Sequence, residues 1–545
     1  MTSQLENIGR GTLGMVFLLL VCYILSNNKK AINWKLVGIG IFAQVMFAMG
    51  VLNTKIAEQP VFWLLMGGIL LWMIVNRVRE GKIKNALPTL HWSQVIIVIA
   101  WQLIFFFGII NSKAFANPGI SILLSIVLIG FIIKFLAPRN TELMKLGIIA
   151  SLAVICLAVY AKWCDPNVLT VFLNGVSSSF VELLRLSHKG TEFMFGSLAD
   201  DTQSWAYIFA IQVLPNIIFF AALSSVLYYL GILQKIVFVF AYLLNKMNIS
   251  GAESLSTAAN IFLGQTEAPL MIRPYLEKMT RSEILCIMVG GMANTAGSVL
   301  AAYVGFLGGS DQAQQHYFAL HMLSQSIMSA PAAIVCSKIL FPEVDHHLVS
   351  KELTIPKEKL GDNFLDALSS GTTDGLKLAV NVGAMLIVFT AMMYVVNALL
   401  EWSGGITDIN PRIAALTDGR YDKLSLQMIF GYVFAPVAWL IGVAKHDMIS
   451  IGQLLGEKTI LNEFVAYISL GKMKADHVIT DPKSLLIATY ALCGFANFAS
   501  IGIQIGGISQ LAPNQRRNLT ELGIKALIGG TIACLMCGCI AGMLV

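Results

Sequence analysis

The chain has 545 residues, of which 56% are hydrophobic and only 12% charged, and its net charge at neutral pH is +6. A soluble domain carries roughly a quarter charged residues, and its apolar runs stop short of a bilayer's width. Together these values exclude a soluble enzyme and a nucleic-acid binder, and they leave an all-α polytopic membrane protein.

Taken in chain order, apolar runs of spanning character cover about 11–27, 34–53, 61–76, 93–111, 118–135 and 144–163 in the first third. Later runs cover 205–230, 284–308, 317–340, 377–402, 485–507 and 522–544. Between them, 168–187, 231–248, 252–280, 424–444 and 447–472 are apolar but too short or too interrupted to span. The opening M-T-S-Q-L-E-N-I-G-R lacks the basic region and cleavage site of a signal peptide, so the first run is expected to be retained.

Basic residues alternate between the loops. Lys29, Lys30 and Lys35 follow the first span, Arg77, Arg79, Lys82 and Lys84 the third, and Lys134, Arg139 and Lys145 lie around the end of the fifth. The intervening loops carry only Lys55 and Lys113. Downstream, Lys351, Lys357, Lys359, Arg516 and Arg517 keep the same phase. By the positive-inside rule these loops face the cytoplasm, and both termini lie outside the plasma membrane. Leu169, Phe172, Val176, Phe180, Leu183 and Leu184 form a helical stripe that suits an interfacial helix. Asp345, His346 and His347 read as solvated loop residues rather than a metal site. Cys534-x-x-Cys537-x-Cys539 lies in an apolar run with no histidine or acid, where cysteine is a small hydrophobe.

An internal repeat organises the rest. G291-M-A-N-T-A-G-S298 and G494-F-A-N-F-A-S500 share glycine, alanine, asparagine and alanine in register. Each is preceded by an interrupted hairpin-like segment with an acid, Q265-T-E-A-P-L270 and L461-N-E-F-V-A-Y467. The order span, hairpin, broken span, span thus occurs twice. Three full spans per unit is an odd number, so the second copy must be inverted. Paired interrupted helices in inverted repeats point to a secondary transporter and to its midplane site. An unwound turn at membrane depth is tolerated only where it is buried in protein or lines a wet cavity, and its freed backbone groups become ligands. Gly264 lets the first turn close, and Pro269 suits the first turn of a new helix whose positive end lies near Glu267. Gln265 and Thr266 offer donors and acceptors to a planar heterocycle. Glu463, Asn497 and Ser500 can grip hydroxyls, and Phe495 can pack on a ring. Polar residues of this kind also serve simply to join helices, but two acids and two asparagines in duplicated breaks favour a site.

The expected organisation is therefore two first helices in 1–53, an extra block of about four spans in 54–164 and an interfacial region in 165–204. A first repeat follows in 205–341 with its re-entrant hairpin at 252–280, then a cytoplasmic loop in 342–376. A second repeat in 377–545 has its hairpin at 447–472.

Four stretches resemble the concentrative nucleoside transporter family: N260-I-F-L-G-Q-T-E-A-P-L270, G290-G-M-A-N-T-A-G-S-V-L-A-A-Y303, N462-E-F-V-A-Y467 and Y490-A-L-C-G-F-A-N-F-A-S-I-G-I503. The likeness covers about 165–545 and, weakly, the first two spans through K29-K-A-I-N-W-K-L36. It implies an elevator-type homotrimer with two re-entrant hairpins and broken transmembrane helices. It implies Gln265, Thr266 and Glu267 against the base, Val299 near it, and Glu463, Asn497 and Ser500 on the ribose with Phe495 beside them. For sodium it implies Asn260, Leu263, Asn294 and Thr295, partly through backbone carbonyls. Asn294 stands where the sodium-coupled branch usually has serine or threonine, which keeps a proton-coupled carrier as the alternative. The expected function is sodium-coupled nucleoside import with no cofactor. The rivals are a carrier of a related solute such as a nucleobase and an integral-membrane enzyme, for which no H-E-x-x-H or G-x-S-x-G motif is present.

Overall fold

The computed structural model describes residues 2–52, 168–199, 208–309, 311–345, 347–350, 362–417 and 419–544. The four spans expected between 61 and 163 lie outside these, as does His346. The chain divides into two units, 53–171 and the remainder, and apart from 168–171 the described residues belong to the remainder. Among the described residues there is no strand, and six helices are long and apolar enough to cross a membrane.

Helices α1 (Thr2–Ile24) and α2 (Trp34–Leu52) precede α3 (Val168–Phe195). The buried face of α3 differs from the expected apolar stripe. It is built from Leu173, Ser177, Leu184, Ser187 and Thr191, whereas Val176, Leu186, Phe193 and Met194 are exposed. The reason is the solvent. Apolar side chains gain little by leaving lipid for protein, whereas small hydroxyl residues allow close helix approach. Here the hydroxyls of Ser177 and Thr191 donate to backbone carbonyls of their own helix, on Asn174 and Ser187.

The first repeat runs α4 (Leu214–Tyr229), α5 (Ile232–Asn245), hairpin arm α6 (Gly251–Ala259), broken helix α7 (Arg281–Ala293) and α8 (Gly297–Gly308), and α9 (Gln312–Leu340). The second runs α10 (Phe364–Ile406), α11 (Ile409–Leu416), α12 (Leu426–Leu440), hairpin arms α13 (Met448–Ile460) and α14 (Glu463–Ala475), broken helix α15 (Pro482–Leu492) and α16 (Phe498–Leu511), and α17 (Arg516–Leu544). The expected loop 342–376 is shorter, because helix begins at Phe364. Asn363 caps it by accepting from the Asp366 amide at 3.0 Å, and Asp374 and Lys377 pair one turn apart. Hydropathy registers only the apolar middle of this 43-residue helix, which at 1.5 Å per residue is about twice as long as a bilayer core is thick. It packs on α4 through small residues: a β-carbon on Gly375 would fall 2.8 Å from that of Ala221.

The two hairpins also differ. In the first, the second arm is a five-residue 3-10 turn, Ala268–Ile272, followed by a single α turn, Arg273–Leu276. Pro269 and Pro274 each remove an amide donor, so the new helix expected after Glu267 does not extend. Its base is fixed instead by charge: Lys338 on α9 pairs with Glu253 on α6 at 2.5 Å and donates to Ser282 at 2.9 Å, with both charged residues buried.

The two helix breaks meet. The Phe495 amide donates to the Asn294 carbonyl at 3.3 Å. Gln325 on α9 donates through Nε2 to the carbonyls of Cys493, at 3.0 Å, and Ala293, at 3.3 Å. The Cys534 thiol on α17 approaches the same two carbonyls at 2.9 and 3.5 Å. One side chain from the last helix of each repeat thus serves the carbonyls that both breaks strand. Gly494 is required there, since its φ is +124° and a β-carbon would meet the Ala293 carbonyl at 2.7 Å. Gln325→Leu leaves these carbonyls the thiol alone. A buried unsatisfied group costs about 1–3 kcal/mol, so the detergent-solubilised variant is expected to melt several degrees below the parent. An unchanged melting temperature contradicts the assignment.

Candidate functional site

The first hairpin tip is held by backbone. The Gly264 carbonyl accepts from the amides of Glu267 and Ala268 at 3.2 and 3.0 Å, and Gly297 at the start of α8 donates to the Phe262 carbonyl at 3.1 Å. This places Gln265, which is buried, over Gly291, where a β-carbon would stand 3.0 Å from that of Gln265. In the second hairpin, Asn462 caps α14 by accepting from the Val465 amide at 2.9 Å. Glu463 is thereby fixed in the first turn of a helix, where the positive end of the dipole favours an acid.

These elements converge on one network. Gln265 Nε2 donates to Ser500 Oγ at 3.2 Å, and Gln504 Nε2 donates to Gln265 Oε1 at 3.1 Å. Asn497 caps α16, accepting from the Ser500 amide at 2.9 Å, while its Nδ2 donates to Glu463 Oε2 at 2.7 Å. Tyr303 on α8 donates to the other carboxylate oxygen at 3.1 Å, and its ring stacks on Tyr467 at 4.3 Å. Gln265, Glu463, Asn497 and Ser500 are all buried. Both hairpins and both broken helices therefore contribute to one chain of polar groups. A carboxylate beside an amide can hold vicinal hydroxyls, and two carboxamides can pair with the edge of a heterocycle.

The other anticipated residues stand apart from this chain. Glu267 is exposed, and its carboxylate lies back over Gly264. Thr266 is half-buried beside Gly507, Phe495 is half-buried, and Val299 is buried. Among the described residues none of these four side chains hydrogen-bonds into the network. Tyr303 and Gln504 do, and nothing in the sequence sets them apart by function. Tyr303 closes one of the matching stretches, and Gln504 lies one helical turn beyond Ser500.

The residues expected to hold a cation differ in how free their oxygens are. Asn260 is buried, and among the described residues both polar atoms of its amide lack a partner, as do the hydroxyls of Ser256 and Thr257. Asn260 and Thr257 both face Gly290, lying 3.5 and 3.6 Å from where a β-carbon would sit. Such neutral oxygens suit a hard cation. Asn294 is committed elsewhere, accepting from Ser329 at 2.5 Å and donating to the Gly290 carbonyl at 3.2 Å. Thr295 Oγ1 lies 3.1 Å from Cys493 Sγ, and Leu263 is half-buried. The hairpin arm, through Thr257 and Asn260, thus offers the freest donors.

Inverted repeats with two re-entrant hairpins and two broken helices around one polar centre define a secondary transporter of the elevator type, not an enzyme. Three family models match in succession: Na+ dependent nucleoside transporter N-terminus over residues 13–70, nucleoside recognition over 210–310, and Na+ dependent nucleoside transporter C-terminus over 321–542. An uncharacterized transporter of Haemophilus influenzae is 42% identical over 68% of this chain and 85% of its own length. Solute carrier family 28 member 3 of Eptatretus stoutii is 35% identical over 95% of this chain and 76% of its own. Sodium/nucleoside cotransporter 1 of Rattus norvegicus is 42% identical, and there the match spans only 54% of the relative. Among solved structures, CNTnw in an inward-facing substrate-bound state superposes with a TM-score of 0.69 at 28% identity, over 99% of this chain and 98% of that one. An outward-facing variant of CNTnw gives 0.68. The chain belongs to the Na+-dependent, concentrative nucleoside transporter family.

Sodium should raise the melting temperature of the purified protein in a saturable way. Asn260→Ala is expected to weaken that apparent affinity by about tenfold or more, the loss of one charge-assisted contact. Unchanged sodium stabilisation in Asn260→Ala would exclude the hairpin arm as the cation site.

Proposed function

We propose that this chain imports nucleosides across the plasma membrane by sodium-coupled symport, with the Gln265–Ser500–Asn497–Glu463 network as the substrate site. The observation that carries this reading is that network itself, which joins both repeats through four buried polar side chains. Glu463 and Asn497 hold the ribose hydroxyls with Ser500, and Gln265 meets the base together with Thr266 and Glu267. Phe495 and Val299 supply apolar contact beside them. Glu267 joins them from the hairpin tip, where its carboxylate lies back over Gly264. Sodium binds at Asn260 with Leu263, Asn294 and Thr295, and with Thr257 as a further donor. It orders the first hairpin tip, whose turn rests on the Gly264 and Phe262 carbonyls. A carrier responds only to ligands that its states bind differently, so ordering the tip couples the ion to substrate.

The working assembly in this reading is a homotrimer with both termini outside. The segment joining α9 to α10 faces the cytoplasm in this reading. A nucleobase carrier is less well supported, because it would leave Glu463 and Asn497 without hydroxyls to hold.

Proteoliposome uptake of labelled uridine, with and without an inward sodium gradient, tests the proposal. Glu463→Gln and Glu267→Gln are each expected to reduce gradient-driven uptake by about a hundredfold or more, because each removes a charge-assisted contact. Tyr303→Phe keeps the ring stack but releases one carboxylate oxygen. It is expected to raise KM by about tenfold with turnover largely kept, as for one lost hydrogen bond to a charged group. Near-normal uptake by Glu463→Gln contradicts the assigned site, and equal uptake of uracil and uridine contradicts the substrate class.

A further inference from the structure

The base end of the network has a lock behind it. Ser500, Gln504 and Gly507 on α16 follow at helical spacing and form one face of that helix. This face is laid against the first hairpin tip. Ser500 and Gln504 both bond to Gln265, and a β-carbon on Gly507 would meet the Thr266 methyl at 2.8 Å. Gln504 is buried. Its Nε2 donates to the Met288 carbonyl on α7 at 3.0 Å and to Gln265 Oε1 at 3.1 Å. Gly291 makes this approach possible, since a β-carbon there would stand 2.7 Å from that nitrogen.

The polarity of the chain follows from its first member. A backbone carbonyl can only accept, so Gln504 must turn its nitrogen to Met288. The same nitrogen faces Gln265, which must answer with its oxygen. Gln265 is left with its own nitrogen on the Ser500 side, where it donates to Oγ at 3.2 Å. Gln504 bears the cost, because its oxygen is buried and without a partner among the described residues. Turning the amide over would set that oxygen against the Met288 carbonyl, so the orphan is kept. At the sugar end, the Asn497 amide is fixed by the opposite kind of group. Its oxygen accepts from the Ser500 amide, and its nitrogen goes to Glu463. A backbone carbonyl of α7 and a backbone amide of α16 thereby orient both carboxamides.

We propose that Gln504 is a positioning residue that sets base selectivity. It acts through Gln265, which it holds with the nitrogen toward the solute, so the base edge met there must carry an acceptor. A ring carbonyl satisfies that nitrogen, whereas an exocyclic amine sets donor against donor. This rests on the nucleoside reading above, with Gln265 at the base. Uridine and cytidine share their ribose and differ at position 4, where one has a carbonyl oxygen and the other an amino group. With the ribose gripped at Glu463 and Asn497, the base cannot slide to offer another atom. The site therefore favours uridine.

Sodium-driven uptake of labelled uridine and cytidine by the full-length protein in proteoliposomes tests this. The parent is expected to prefer uridine by about tenfold or more in kcat/KM, carried by KM, as for one hydrogen bond exchanged for an unpaired donor. Gln504→Glu is close to isosteric, but a carboxyl has at most one proton where the amide nitrogen has two. It cannot donate to both Met288 and Gln265. Gln265 then turns its nitrogen to the new carboxyl and its oxygen to the solute, and the preference is expected to pass to cytidine. Gln504→Leu frees the Gln265 amide to take either pose, and the preference is expected to fall below about threefold. A merely structural glutamine would lower uptake of both nucleosides alike and leave their ratio at the parent's value. An unaltered ratio in both variants overturns the proposal, as does a parent that takes up the two nucleosides equally well. If neither variant assembles, a map of the parent with uridine decides. Gln504 within hydrogen-bond reach of Gln265, with the Gln265 amide against O4, upholds the lock, and the two glutamines apart overturn it. No sodium-dependent uptake of either nucleoside by the parent would instead bring down the transport reading itself.

Discussion

A helix that stops inside a bilayer strands its last carbonyls and first amides where no water can reach them, and this chain stops helices there at two breaks and two hairpin tips. Each stranded group costs free energy unless protein supplies a partner. At the breaks the partners come from both copies of the repeat. Gln325 from α9 and Cys534 from α17 both serve the carbonyls of Ala293 and Cys493. Phe495 donates its amide to Asn294. The breaks are forced together because neither could be buried alone, and the polar centre of the molecule follows from that.

Once the breaks meet, the caps at their far sides become the site. Asn497 and Asn462 are N-caps first, accepting from Ser500 and Val465. Asn497 has a donor left over, and it goes to Glu463. Gln265 reaches the same place because Gly291 leaves room for it and for Gln504. Substrate recognition in this reading uses the groups that finish helices.

Much of this is legible in the sequence because a membrane restricts what polar residues can mean. The run from Gly264 to Leu270 and the repeated asparagines at 294 and 497 stand out against an apolar background. Their placement at two breaks follows from spacing alone. What escapes is anything whose meaning depends on a distant partner. Tyr303, Gln504, Thr257 and Lys458 sit in runs that read as ordinary helix, and only packing brings them to carboxylate, amide or carbonyl. Cys534 reads as a small hydrophobe and instead lies against two carbonyls. An apolar stripe such as that on α3 turns inward in water, whereas in lipid the serines turn inward instead. The length of α10 escapes hydropathy because its first turns are polar.

The central claim is that groups from both repeats hold one solute between them. A cryo-electron microscopy map of the protein with uridine and sodium tests it most directly. The account predicts sugar density within about 3 Å of the Glu463 and Asn497 side-chain oxygens and nitrogens, with the base edge against Gln265 and an ion beside Asn260. Density for uridine bound elsewhere, or Glu463 turned toward acyl chains with the solute present, would contradict it.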